Sequence, residues 1–95
     1  MNEELDTFIR TYLGLDVAYD TSGFLRPTLM SFKESFVQGV RDGLLHVIRA
    51  RELSVEEYEG MTDVEFPDEA ALYVYLEALY TYLFEGASSQ PAPPA

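Results

Sequence analysis

The sequence predicts an all-α fold, a small bundle of three main helices plus one short helix, with an ordered apolar loop between helices 1 and 2. Apolar residues recur at helical spacing in three separate stretches, and a sharp helix-start signature stands between the second and third. The one segment that could run extended, Asp16-Val17-Ala18-Tyr19, would have no partner strand. At 95 residues there is room for one core, and a 47% hydrophobic content argues that the body folds.

Leu5, Phe8, Ile9, Tyr12 and Leu13 fall on one helical face, Asn2 is placed to cap it, and Glu3 and Glu4 complement the helix dipole. With Gly14 as a stop, the first helix is expected over about Glu3–Leu13. Leu15–Pro27 lacks a sustained period, and Asp20-Thr21-Ser22-Gly23 reads as a turn. Because the segment carries Val17, Tyr19, Phe24 and Leu25, it is expected to be pinned by its own apolar side chains.

From Thr28, the series Leu29, Phe32, Phe36, Val37, Val40, Leu44, Val47 and Ile48 keeps helical phase and predicts the longest helix. Gly39 and Gly43 lie four apart at the edge of that stripe, where they either admit a neighbouring helix or mark a break at Asp42-Gly43. Survival of the apolar phase across them favours close packing.

Ser54 and Glu57 fit a capping box, flanked by Leu53 and Tyr58 as a hydrophobic staple, so a short helix is expected from Val55 to near Gly60. Thr62 and Glu65 repeat the arrangement, but Pro67 prevents one helix from propagating through it. Pro67 suits the first position of a last helix over Pro67–Glu85, with Gly86 ending it. One helical domain over residues 1–86 is therefore expected, followed by a disordered Pro/Ala/Ser tail over 87–95 that has too little to bury to offset its ordering.

The net charge is -11, and it is unevenly placed. All six basic residues lie in the first 51 positions with seven acidic ones, whereas ten acidic residues and no Lys or Arg follow from Glu52 onward. Such a field repels nucleic acid and anionic membrane surfaces and attracts basic proteins. The acidic start Met1-Asn2-Glu3-Glu4 is unlike a secretory signal, and no apolar run approaches the roughly 18 residues of a membrane span, so a cytoplasmic protein is expected.

Chemistry-bearing patterns are few. There is no cysteine, and the single histidine, His46, lies off the stripe of the longest helix, which leaves neither a zinc motif nor a Ser-His or Cys-His pair. The carboxylates form no EF-hand pattern, and Gly39 and Gly43 lack the Lys-Ser/Thr ending of a phosphate loop. No catalytic, metal-ligating or cofactor-binding residue is assigned, and no cofactor or enzyme activity is expected.

The last helix carries a different signal. Leu72, Leu76, Leu79 and Leu83 form a central stripe, flanked by Tyr73, Tyr80 and Phe84 on one side and by Tyr75 and Tyr82 on the other. The apolar arc spans roughly 200°, about twice that of a surface helix. It describes either a central helix packed between two neighbours or a helix with one tyrosine flank in an interface. On the second reading, the partner-binding set is Glu56, Glu57, Glu59, Asp63, Glu65, Tyr73, Tyr75, Glu77, Tyr80 and Tyr82.

The segment Leu53-Ser54-Val55-Glu56-Glu57-Tyr58 through Thr62-Asp63, followed by Tyr75-Leu76 and Tyr82-Leu83-Phe84, resembles small acidic bacterial immunity proteins of interbacterial toxin systems. The likeness covers the second half of the chain and implies stoichiometric occlusion of a toxin domain. The leading expectation is a non-catalytic acidic inhibitor of a basic toxin or nucleic-acid-acting enzyme. The alternative is a self-associating, homodimeric helical module joined through its tyrosine flanks.

Overall fold

Six helices and no strand make up residues 1–94, the part of the chain described in the computed structural model. They are α1 (Glu3–Tyr12), α2 (Leu15–Ala18), α3 (Leu25–Met30), α4 (Glu34–Ala50), α5 (Val55–Thr62) and α6 (Glu69–Phe84). Among these residues no helix is long and apolar enough to cross a membrane.

α1 starts where its cap demands. Asn2 Oδ1 accepts from the Leu5 N–H at 2.8 Å, while Asn2 Nδ2 donates to the Gly39 carbonyl at 2.7 Å, so one side chain ends α1 and ties it to α4. The two glycines make that approach feasible. A Cβ on Gly39 would lie 2.6 Å from Glu4 Cγ, and one on Gly43 would lie 2.7 Å from Asn2 Oδ1. Close packing is thus what the Gly39–Gly43 pair serves, and α4 runs unbroken through both.

Between α1 and α4 the structure departs from the sequence expectation. The Leu15–Pro27 segment holds a short helix, α2, and the start of α3, which begins at Leu25 rather than Thr28. Pro27 fits there because the N–H it lacks belongs to the first turn, which has no intrahelical acceptor. The long helix expected from Thr28 is interrupted at residues 31–33. Ser31 Oγ donates to the Thr28 carbonyl at 2.7 Å, and Lys33, with ψ 145°, turns the chain before α4. The apolar phase conceals this break because Phe32 stays in an aromatic file with Tyr12 and Phe36, at ring separations of 5.9 and 5.1 Å.

The capping box forms as expected, with Ser54 Oγ accepting from the Glu57 N–H at 3.0 Å and Glu57 Oε1 accepting from the Ser54 N–H at 2.9 Å. α5 runs two residues past Gly60 and ends at Asp63, which takes a left-handed φ of 61°. No second box forms, because the Thr62 hydroxyl is occupied twice: it donates to the Tyr58 carbonyl at 2.8 Å and accepts from the Val64 N–H at 3.1 Å. Pro67 stands one residue before the true cap of α6, Asp68, whose Oδ1 accepts from the Ala71 N–H at 2.8 Å. Gly86, at φ 83°, follows the last helix in the conformation a side chain resists.

Composition predicts a disordered tail over 87–95; residues 87–94 lie against the helices, with Gln90 and Pro93 buried, and residue 95 lies outside the described residues. Gln90 Oε1 accepts from the Leu25 N–H at 3.0 Å and Gln90 Nε2 donates to the Asp20 carbonyl at 2.8 Å. α3 has no side-chain cap of its own, so this amide from the far end of the chain satisfies its first donor. Arg26 holds the other end of the tail by donating to the Tyr82 and Ala87 carbonyls.

Candidate functional site

α6 buries more side chains than any other helix. Leu72, Leu76, Leu79 and Leu83 are buried, and so are Tyr73, Tyr75, Tyr80 and Tyr82. The four tyrosines that the sequence reading places in the partner-binding set are thus buried, on both flanks of the helix. Tyr73 Oη donates to the Leu53 carbonyl at 2.9 Å and accepts from the Leu53 N–H at 3.0 Å, while the Arg51 guanidinium lies 4.4 Å above its ring. Tyr82 Oη donates to the Gly23 carbonyl at 3.0 Å, beneath Arg26 at 4.2 Å. Tyr75 packs 5.4 Å from the Phe66 ring, and Tyr80 packs 5.3 Å from Phe84. In Tyr73 and Tyr82 the polar tip satisfies backbone groups left open by loops.

Burial acts on these phenols in one direction. It pushes Tyr75 up to about 12 and lifts Tyr58 well above the ordinary phenol value. Tyr73 is also raised by burial, with the Leu53 backbone hydrogen bond pulling the other way.

The carboxylates behave oppositely. All ten acidic side chains after Arg51 are exposed. Among the described residues only two of them make ion pairs: Glu52, at 3.0 Å from the Met1 ammonium with His46 Nε2 also 3.7 Å away, and Glu69, at 4.0 Å from Arg51. The structure brings Glu56, Glu59 and Glu65 to one cleft of about 450 Å³, where the starts of α5 and α6 meet and Asp68 and Glu69 join them. Asp63 and Glu65 border an adjoining cleft of about 480 Å³. Glu57 is spent on its cap, and the Ser54 backbone and hydroxyl hold its carboxyl below the ordinary value. Glu77 lies elsewhere, with Glu85 in a shallow cleft between α4 and α6.

Sequence reasoning missed the apolar part of this surface. Leu15 and Tyr19 are 51% and 47% exposed and border the second cleft with Phe66 and Pro67. Their i, i+4 spacing was the available signal, but one pair in a segment expected to pin itself inward gave no reason to turn it outward. No group of three or more His, Asp or Glu side chains among the described residues is arranged to hold a metal ion.

No family model, curated protein or solved structure matches the chain.

Proposed function

We propose that this chain is a non-catalytic acidic binding protein that inhibits a basic partner, acting as an immunity-type inhibitor of a toxin or a nucleic-acid-acting enzyme. One observation carries the reading: the carboxylates of Glu56, Glu59, Asp63 and Glu65 are exposed, without an ion-pair partner among the described residues, and gathered on the adjoining clefts where α5 and α6 begin. A surface needed only for solubility has no reason to exclude Lys and Arg so completely. Enzymes that act on nucleic acids carry basic clefts, and a concentrated carboxylate field speeds encounter with such a cleft and fills it in place of phosphates.

The test is a joint neutralisation, Glu56→Gln, Glu57→Gln, Glu59→Gln, Asp63→Asn and Glu65→Gln, measured against the partner purified with the chain from its native host. Gln preserves the capping box and Asn tolerates the left-handed φ at position 63, so the fold should survive. Association should slow by about tenfold or more, and inhibition of the partner's activity should weaken in step. Unchanged association and inhibition in the neutralised chain would refute the proposal.

A further inference from the structure

Three clefts on the acidic half are continuous. The cleft at the starts of α5 and α6 shares Glu65, Phe66 and Pro67 with the next one, and that one shares Leu15 and Asp63 with a third, of about 490 Å³, reaching Gly14 and Met61. Together they make a track from the α5–α6 corner, past the end of α5, to the turn between α1 and α2.

Charge and apolarity alternate along this track. Its middle holds the half-exposed Leu15 and Tyr19 beside Phe66, Pro67 and Pro94, with Tyr19 Oη donating to the Pro94 carbonyl at 2.7 Å and leaving the ring faces as the apolar surface. Carboxylates stand on both sides of that centre: Glu56 and Glu59 toward the α6 start, and Asp16 toward the α1 turn. The only basic side chain on the track, Arg10, is drawn back onto its own helix by Asp6 at 3.1 Å. Of the other large exposed apolar groups, Met1, Met30 and Phe32 line none of the three clefts, and Val74 borders a further apolar cleft that meets the track at Pro94.

Resting on the reading of the chain as an acidic binding protein, we infer that this track is the docking site for an extended cationic segment of the partner that carries a hydrophobic anchor. The anchor seats on Leu15 and Tyr19, and Lys or Arg residues to either side meet the flanking carboxylates. The pattern of charges selects the occupant, because an acidic segment is repelled along the track and a purely apolar one leaves the carboxylates unmatched. An apolar centre also supplies what exposed ion pairs cannot, since these contribute little in water. About ten extended residues, at roughly 3.3 Å each, are enough to cross any dimension of the protein, which measures 33 × 27 × 21 Å.

Two synthetic peptides of about that length, equal in charge, test the inference: one alternates Lys and Leu, and the other alternates Lys and Gly. Binding is followed by fluorescence anisotropy and by amide chemical shifts of the isotopically labelled chain. The Lys-Leu peptide should bind at least about tenfold more tightly, with shifts centred on Leu15, Tyr19, Asp63 and Phe66. Leu15→Ser with Tyr19→Ser, after thermal unfolding shows the fold intact, should remove that advantage and leave Lys-Gly binding unchanged. Equal affinity for the two peptides, no binding of Lys-Leu, or an advantage that survives the double substitution would overturn the track and leave the acidic-face reading standing. Affinity for both peptides that is indifferent to salt and to the fivefold neutralisation would overturn the acidic-face reading, and the track with it.

Discussion

The Tyr73 hydroxyl closes a two-way hydrogen bond with the Leu53 backbone, donating to its carbonyl at 2.9 Å and accepting from its N–H at 3.0 Å. Leu53 is buried in the connection between α4 and α5, where no helix ladder can satisfy either group. Tyr73→Phe leaves both of them unpaired at once. Stability should fall by about 1–3 kcal/mol in denaturant unfolding, with the ring and its packing retained.

Tyr58 presents the opposite case. Its hydroxyl is fully buried, makes no hydrogen bond of ordinary geometry and has only the neighbouring Tyr75 hydroxyl to interact with, so its desolvation is poorly compensated. Tyr58→Phe keeps the edge contact with Phe66, at 5.7 Å between ring centres, and removes the poorly compensated oxygen. Stability should be unchanged or should rise by about 1 kcal/mol in the same unfolding assay. A loss of similar size would show that the Tyr75 hydroxyl compensates it.

Two helical glycines should respond to alanine with opposite signs. Nothing lies within 4 Å of a Cβ on Gly60, so Gly60→Ala should stabilise α5 by about 0.5–1 kcal/mol through helix propensity alone. A Cβ on Gly43 meets the Asn2 amide at 2.7 Å and would dislodge the cap of α1 together with its bond to Gly39. Losing the cap and that hydrogen bond, each worth about 1 kcal/mol, outweighs the propensity gain, so Gly43→Ala should destabilise. Thermal unfolding of the two variants in parallel checks the signs.

Legibility in the sequence tracked the range of the interaction. The Ser54–Glu57 box, the Asn2 cap and the Leu72–Leu83 stripe are readable because donor, acceptor and period lie within a few residues of one another. The interruption at residues 31–33 is not, because Leu29, Phe32 and Phe36 keep an apolar rhythm that a broken chain also satisfies. The wheel of α6 shows a wide apolar arc, but whether Tyr75 and Tyr82 face solvent depends on where Phe66 and the turn at Gly23 come to lie. On the acidic face, exposure of the carboxylates was legible from charge alone, whereas the apolar centre at Leu15 and Tyr19 required the fold.

The tail illustrates the longest range. Gln90 finds its partners 65 and 70 residues away in sequence, and both are backbone groups that no residue pattern marks. Gln90→Ala should leave the Leu25 N–H without its acceptor and release the tail, lowering stability by about 1–3 kcal/mol. Amide exchange should quicken at Leu25 and across the tail while α4 and α6 keep their protection. Uniform loss of protection across all helices would instead mean that the tail is part of the global folding unit.

Alkaline pH provides the last test, because buried phenols must keep their protons for the core to hold. Burial raises Tyr75 from 10.0 to about 12, so the folded chain retains a proton that the unfolded chain gives up earlier. Its contribution is complete below pH 10 and is lost as pH rises toward 12, at about 1.4 kcal/mol per unit and roughly 2–3 kcal/mol in all. Tyr58, raised in the same sense by burial, steepens the decline. Tyrosinate absorbance and helical circular dichroism should therefore change together above pH 10. Tyr75→Phe should flatten the stability profile in that window, and a profile as steep as the parent's would assign the linkage to other groups.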